Sequence, residues 1–347
     1  MELAGTILYG PDFEALEGII RIRDGVIDEV TPTDVDSDAI IAPTFVNAHT
    51  HLGDSIAKEA GRGLSLEDLV APPDGLKHRL LRDAGEEALI EGMRRSLSFA
   101  IESATAACYD FREGGVDGVA HLRQASERLP IDAYAFARES IEAMEAGDGY
   151  GASGANDADF ADERAATREA GKPFAIHAGE PDSSDIDPAL DLEPDVLIHV
   201  VHPESHHLDR IESTRTPVVC CPRSNLVTGV GLPPFEALHE RTTLALGTDN
   251  VMLNSPSMFR EMAVVSTHSD LTAPEVLRMA THNGAAILGR DDGLIEPGRP
   301  ANLFVLDGST NNLVGVKDPV RAVVRRAGPA DVDDVVIDGT SVIGRAT

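Results

Sequence analysis

Four short apolar runs in this chain each lead into a residue able to ligate a metal, and that recurrence limits the fold more than any other feature. Ile40-Ile41-Ala42-Pro43-Thr44-Phe45-Val46 runs into Asn47-Ala48-His49-Thr50-His51. Phe174-Ala175-Ile176 precedes His177, Val196-Leu197-Ile198 precedes His199, and Leu244-Ala245-Leu246-Gly247-Thr248 precedes Asp249. Strand side chains alternate faces, so His49 and His51 point the same way, about 7 Å apart along the strand. Such a pair holds one metal ion only if other strands bring further ligands. The fold must then gather strand ends some 200 residues apart in sequence.

The order of elements supplies a way to do so. Helical stretches are expected at Glu86 to Ser103, Val116 to Leu129, Asp162 to Ala170, Pro233 to Glu240 and Ala273 to Leu288. Between them lie β runs ending at Phe111, Ala137, His177, His199, Cys221 and Asp249, and the Gly-rich Gly149 to Ser153 is the eighth strand. Strands alternating with helices imply right-handed βαβ units and a parallel sheet. About 250 residues of such units is the usual size of a (β/α)8 TIM barrel, whose strand C-termini converge on one face. Before and after this stretch the pattern changes. Thr6 to Tyr9, Gly18 to Ile22, Ala301 to Leu306, Val320 to Val324 and Val335 to Ile337 read as β runs, with Asp24-Gly25 and Asp338-Gly339 as hairpin turns. The expectation is α/β: a barrel over residues 44–293, with head (1–43) and tail (294–347) pairing into a small β-sandwich.

Charge excludes some partners. The 59 acidic residues against 29 basic give a net charge of −30, which repels nucleic acid and anionic membrane surfaces. Only Lys58, Lys77, Lys172 and Lys317 are lysines, so arginine supplies nearly all the positive charge. A dense acidic coat almost free of lysine resembles the proteins of salt-loving archaea. Cys108, Cys220 and Cys221 form no metal spacing and no disulfide framework. No apolar run approaches the ~18 residues of a membrane span, and the first residues show no export signal, so a cytoplasmic protein is expected.

The segments Val46 to Leu52, His177-Ala178-Gly179-Glu180, Cys221-Pro222-Arg223-Ser224-Asn225-Leu226, Leu246 to Asp249 and Ile295 to Leu303 together resemble the amidohydrolase superfamily, in particular its cytosine, guanine and adenosine-type deaminase and triazine hydrolase branch. The resemblance implies that His49, His51, His177 and Asp249 bind one divalent metal ion, zinc or else iron. Three imidazoles and a carboxylate suit either metal and leave a position open for water. It also implies catalytic roles for Glu180 as proton shuttle, Asp249 as acceptor of the water's proton, and His199 as a group that steadies charge on the substrate near the metal. Binuclear relatives use a carboxylated lysine on the fourth strand. The region from Tyr150 to Phe160 has no lysine, so one metal is expected. The implied reaction is hydrolytic deamination of an amino-substituted heterocycle. Alternatives are opening of a ring amide or loss of chloride, and, in another class, a barrel scaffold without activity.

Substrate contacts are read from rare and clustered cations. Lys77 lies in the loop after the first barrel strand. Arg112 and Arg138 follow the second and third strands, and Arg223 with Asn225 belongs to the family-like segment. Arg112 and Arg138 either clamp an anionic group or form structural pairs with Glu113 and Glu139. The expected partner is a small molecule, an anionic heterocycle among the candidates, with a homodimer as the expected assembly if the chain self-associates. The His202, His206, His207 segment is read as a polar loop entering a helix. With no Trp and four Tyr, ring stacking falls to Phe or aliphatic side chains.

Overall fold

The computed structural model describes residues 1–71 and 73–344; Pro72 and residues 345–347, inside the expected barrel and tail segments, lie outside them. Sixteen strands form among the described residues. They are β1 (Glu2–Tyr9), β2 (Glu14–Arg23), β3 (Val26–Pro32), β4 (Ile40–Pro43), β5 (Phe45–His51), β6 (Thr105–Arg112), β7 (Asp132–Ala137), β8 (Gly149–Ala152), β9 (Phe174–Ala178), β10 (Val196–His199), β11 (Val218–Cys220), β12 (Leu244–Leu246), β13 (Asp249–Asn250), β14 (Leu303–Leu306), β15 (Val332–Ile337) and β16 (Thr340–Ser341). The chain divides into two compact units, one of residues 1–46, 99–107 and 257–347, the other of residues 47–98 and 108–256.

In the first unit, head and tail strands hydrogen-bond into one seven-stranded sheet of order β16-β15-β14-β4-β1-β2-β3. Asp24 and Gly25 both take positive φ (51° and 82°), as do Asp338 and Gly339 (48° and 72°), which is the backbone a two-residue hairpin turn demands. Along β2 the pattern alternates, Ile20 and Ile22 inward and Arg21 and Arg23 outward. The inward set packs with Ile7, Ile27, Ile41, Leu303 and Val336 into one apolar cluster. The far edge turns back on the sheet: Ile27 N donates to Arg299 O (2.9 Å), Gly298 N to Ile27 O (2.8 Å), and Val26 bridges Pro300.

Two sequence expectations change here. Val320 to Val324 is not a strand but part of helix Pro319–Arg325. The Asp318 carboxylate accepts the Arg321 amide at 2.9 Å as N-cap, Pro319 takes the first turn, and Val320, Val323 and Val324 are buried at helical spacing. The expected helix from Ala273 to Leu288 is two, Ala273–Ala280 and His282–Ile287. Between them Thr281 leaves helical geometry (φ −128°, ψ −98°) and returns its hydroxyl to Leu277 O.

The other sheet is parallel and has nine strands, in the order β12-β11-β10-β9-β8-β7-β6-β5-β13. Helices intervene between successive strands, among them Glu86–Glu102, Gly115–Ser126, Ala161–Ala170 and Ser205–Thr214. The result is a curled, TIM-barrel-like α/β sheet accompanied by a separate sheet. Its two terminal strands, β12 and β13, are separated in sequence by only Gly247 and Thr248. Gly247 N donates to Cys220 O on one side (3.0 Å), and Thr248 N to His49 O on the other (2.9 Å).

Parallel strands covered on both faces are usually continuous apolar runs. β5 is fully buried yet carries Asn47, His49, Thr50 and His51. Burying polar groups is costly unless they are bonded. Asn47 Nδ2 donates to Thr248 Oγ1 (2.7 Å) while its Oδ1 accepts Thr248 N (3.0 Å), fixing β5 against the segment that carries Asp249. Thr50 donates to Asp249 O. His49 has no such satisfaction.

Candidate metal centre

His49, His51, His177, His199 and Asp249 meet at the C-terminal ends of β5, β9 and β10 and at β13. Asp249 Oδ1 lies 3.3 Å from His49 Nε2 and 3.5 Å from His51 Nε2. Ligand-capable atoms of His49, His51 and Asp249 fall within 4.8 Å of one another, as do those of His49, His177 and His199. The backbone is bent to place them: His199 and Asp249 sit at positive φ (76° and 56°), a conformation costing about 1–3 kcal/mol for a non-glycine residue.

The outer nitrogens decide what the inner ones can do. His177 Nδ1 donates to Ala152 O (2.8 Å). His51 Nδ1 faces Glu113 Oε1 (2.9 Å) and Phe111 O (3.1 Å), both acceptors, so it too carries the proton. Each ring therefore keeps an Nε2 lone pair free, His51's beside Asp249 (3.5 Å) and His177's grouped with His49 and His199, the orientation seen when a histidine's outer N–H is anchored and its inner nitrogen ligates. His49 is buried with neither ring nitrogen hydrogen-bonded. His199 differs: Asn225 Nδ2 donates to its Nδ1 (3.1 Å), so its Nε2 bears the hydrogen and points toward Glu180 Oε2, 3.6 Å away. Three sets of ligand-capable atoms here lie close enough to hold a cation: His49, His51 and Asp249; His49, His177 and His199; and Glu180, His199 and Asp249.

Protonation states agree with that fit. Burial lowers the pKa of His49, His51 and His177, the second to about 3, so all three are neutral near pH 7. Asp249 is pushed up by burial but held well below the usual carboxylate range by the imidazoles around it. Neutral imidazoles and an ionised carboxylate are the forms that bind metal. Ser224 donates to Asp249 Oδ2 and Asn250 to Oδ1 (2.8 Å), which orients the carboxylate.

Glu180 lies next to this cluster. Its Oε1 accepts from Asn225 (3.3 Å), and burial raises its pKa against the pull of His199. It lines a cavity of about 170 Å³ together with His51, His177, His199, Asp249, Lys77 and Arg138. Leu66, Val70 and Ala71 supply an apolar wall, and among the described residues no Phe, Tyr or Trp lines it.

Of the cations read from sequence, Lys77 and Arg138 reach this cavity. Arg112 and Arg223 do not. Arg112 is committed to Asp110 (3.1 Å), Glu113 (2.9 Å) and the Glu113 carbonyl; Arg223 donates to Ser255 O (3.0 Å) and Asn254 Oδ1 (2.9 Å). A residue that sequence reading took only as an arginine partner proves central. Glu113 Oε1 accepts from Lys77 Nζ (2.7 Å), His51 (2.9 Å) and Arg138 (3.2 Å), while Oε2 takes Arg112. Its position, directly after Arg112 at the end of β6, was the available signal. Asp54 also went unread: it is fully buried, accepts Met252 N (3.0 Å), and has a pKa raised well above normal by burial. Asp187, His206 and His207 also cluster, but Asp187 is tied to Arg210 (2.6 Å) and His207 Nδ1 accepts Glu204 N in a helix cap.

The amidohydrolase family profile matches residues 40–342, and the chain belongs to the amidohydrolase family. A protein of Methanothermobacter thermautotrophicus named as an aminohydrolase is 34% identical, covering 97% of each chain. A Halobacterium salinarum protein named 5-methylthioadenosine/S-adenosylhomocysteine deaminase is 32% identical over 50% of this chain and 46% of its own. The zinc complex of atrazine chlorohydrolase from Arthrobacter aurescens shares the fold, with a TM-score of 0.83 at 19% identity over 99% of this chain and 95% of that one. No helix among the described residues is long and apolar enough to cross a membrane.

Proposed function

We propose that this chain is a metal-dependent hydrolase that deaminates an amino-substituted heterocycle, replacing an exocyclic amino group by oxygen. The observation carrying the reading is the pairing of two features at one small cavity: a histidine–carboxylate cluster in which His49 groups with His51 and Asp249 and again with His177 and His199, and a half-buried carboxyl of raised pKa, Glu180, beside it. His49, His51, His177 and Asp249 would hold one divalent ion, zinc first and iron second, and strand β8 offers no lysine for another. Such an ion supplies Lewis acidity and makes hydroxide available near neutral pH.

The chain's own groups do the rest. Asp249, ionised and anchored by Ser224, accepts the proton of the attacking water. Glu180, a carboxyl with a raised pKa, gives its proton to a ring nitrogen. The proton held by Asp249 then passes to the departing amine, which leaves as ammonia, and Glu180 recovers a proton from the hydroxyl of the tetrahedral adduct as the carbonyl forms. The Nε2–H of His199 donates to the oxygen on which charge develops. Lys77 and Arg138, both at the cavity wall, favour a substrate with an anionic group. The architecture is read as a closed (β/α)8 barrel with a small rolled β-sandwich, because the split strand β12–β13 pairs with both β11 and β5.

A cavity of about 170 Å³, below the 300–1,000 Å³ of drug-sized pockets, favours a single compact ring system. The test is ammonia release from a heterocycle panel by the zinc-loaded protein. Glu180→Gln should lower kcat about 10²–10⁴-fold while metal content and melting temperature hold. Ring-amide hydrolysis or chloride release without ammonia would overturn deamination, and protein that retains no metal would overturn the centre itself.

A further inference from the structure

The seven-stranded unit carries a patch opposite in sign to the chain as a whole. A cleft of about 910 Å³ is lined by Lys317, Arg321, Arg325 and Arg326, with Asn311 and Val314 beside them. It shares no residue with the histidine cavity. Helix Pro319–Arg325 places Arg321 and Arg325 one turn apart on its exposed face, and Val320, Val323 and Val324 bury the other. Among the described residues Asp318 is the only carboxylate on the wall, and it is occupied as the helix N-cap, accepting Arg321 N at 2.9 Å.

What sets these four cations apart among the described residues is that they crowd one cleft with no carboxylate to neutralise them, whereas Arg62, Arg128 and Arg215, also without a carboxylate partner, lie outside it. Acidic residues outnumber basic ones two to one, and even exposed arginines such as Arg21, Arg123, Arg168 and Arg210 are bridged to carboxylates. None of Lys317, Arg321, Arg325 and Arg326 has a carboxylate partner among the described residues. Like charges one turn apart on a helix repel, so the arrangement weakens its own helix unless an anion lies between them.

We infer that the cations of this cleft bind the diphosphate group of a small polyanion. Guanidinium groups pair bidentately with phosphate oxygens, and Arg321 and Arg325, one turn apart on an exposed face, are spaced to share one diphosphate between them. A net charge of −30 disfavours long nucleic acids, but at moderate salt its field is screened within about 8–10 Å, leaving the local cations to act.

Calorimetric titration of inorganic pyrophosphate, and separately of a nucleoside diphosphate, into the full-length metal-loaded protein tests this. One pyrophosphate per chain is expected, bound at least tenfold more weakly by R321Q/R325Q and about threefold more weakly by K317Q, with R128Q as an unchanged surface control. Circular dichroism melting confirms that the variants fold. A nucleoside diphosphate that loses the same factor in R321Q/R325Q supports the phosphate as the recognised group. Heat that persists in R321Q/R325Q would mean chelation of the metal and would overturn the inference. So would absence of binding up to about 1 mM, or binding seen only with anionic vesicles or as a dimer lost in R321Q/R325Q.

Discussion

Replacing Glu113 by glutamine should injure this protein more than removing any one of the cations it serves. Glutamine keeps the volume but loses the charge, and its amide N–H₂ must face either Arg112 or the donors on the other side: Lys77, Arg138 and His51 Nδ1. Breaking a buried charge cluster by removing one partner costs about 3–5 kcal/mol. Arg112 retains Asp110 and the Glu113 carbonyl, so the lower end, about 3 kcal/mol, is expected. Lys77→Met leaves Glu113 with two arginines and His51, and should cost about 1 kcal/mol. His51 keeps the Phe111 carbonyl but loses the charged acceptor on its outer nitrogen, so zinc affinity should fall about 10-fold in E113Q, the low end for loss of such a partner. Urea unfolding with chelator present, read as a shift in midpoint at constant slope, separates stability from metal linkage; chelator competition then gives the affinity. E113Q within about 0.5 kcal/mol of the parent, with unchanged zinc affinity, would refute the reasoning, as would K77M proving the more damaging change.

Further outcomes follow from other parts of the structure. A Cβ at Gly247 would lie 2.7 Å from His49 Cβ and 2.8–2.9 Å from its backbone O and N, so G247A should destabilise by about 1–3 kcal/mol and impair zinc retention, whereas G85A, with open space around it, should be neutral in the same melts. Burial, and then the charge of Lys77, push the pKa of His78 down to about 4 from 6.5. The folded state thus resists a proton that the unfolded chain accepts: this contribution is intact above pH 6.5 and is lost as pH falls to about 4. Because the ring is part-exposed, about 1–2 kcal/mol is expected rather than the full shift, and H78Q should flatten the stability profile across that window. Self-repulsion at a net charge of −30 should make the melting temperature rise from about 10 mM to 1 M monovalent salt as the Debye length shrinks from about 30 to 3 Å; a salt-independent melt would argue against a repulsive coat.

The parts of this molecule visible in its sequence were those written in periodicity. Apolar runs ending in His49, His177, His199 and Asp249 marked strand ends because a buried parallel strand has little else to show, and the glycine-containing turns announced the hairpins of the other sheet. Misreadings came where local signals competed. The β-branched run Val320–Val324 looked extended, although Asp318-Pro319 is a helix start, and Thr281 broke a helix whose apolar spacing carried on through it. Partners across space were not legible. Asn47 shares a face with His49 and His51 by the period of two, but nothing in the letters said that it would clasp Thr248. Nor did Arg112-Glu113 say which of its charges would turn inward.

The carboxylate at position 249 lies beyond the Gly247–Thr248 break, on a two-residue strand whose register with β5 sets Asp249 against Thr50. A slip of that pairing by one residue would carry the anion off the face that His49 and His51 share. Any affinity of the cluster for a cation would therefore double as a gauge of whether the two ends of the sheet have met in register.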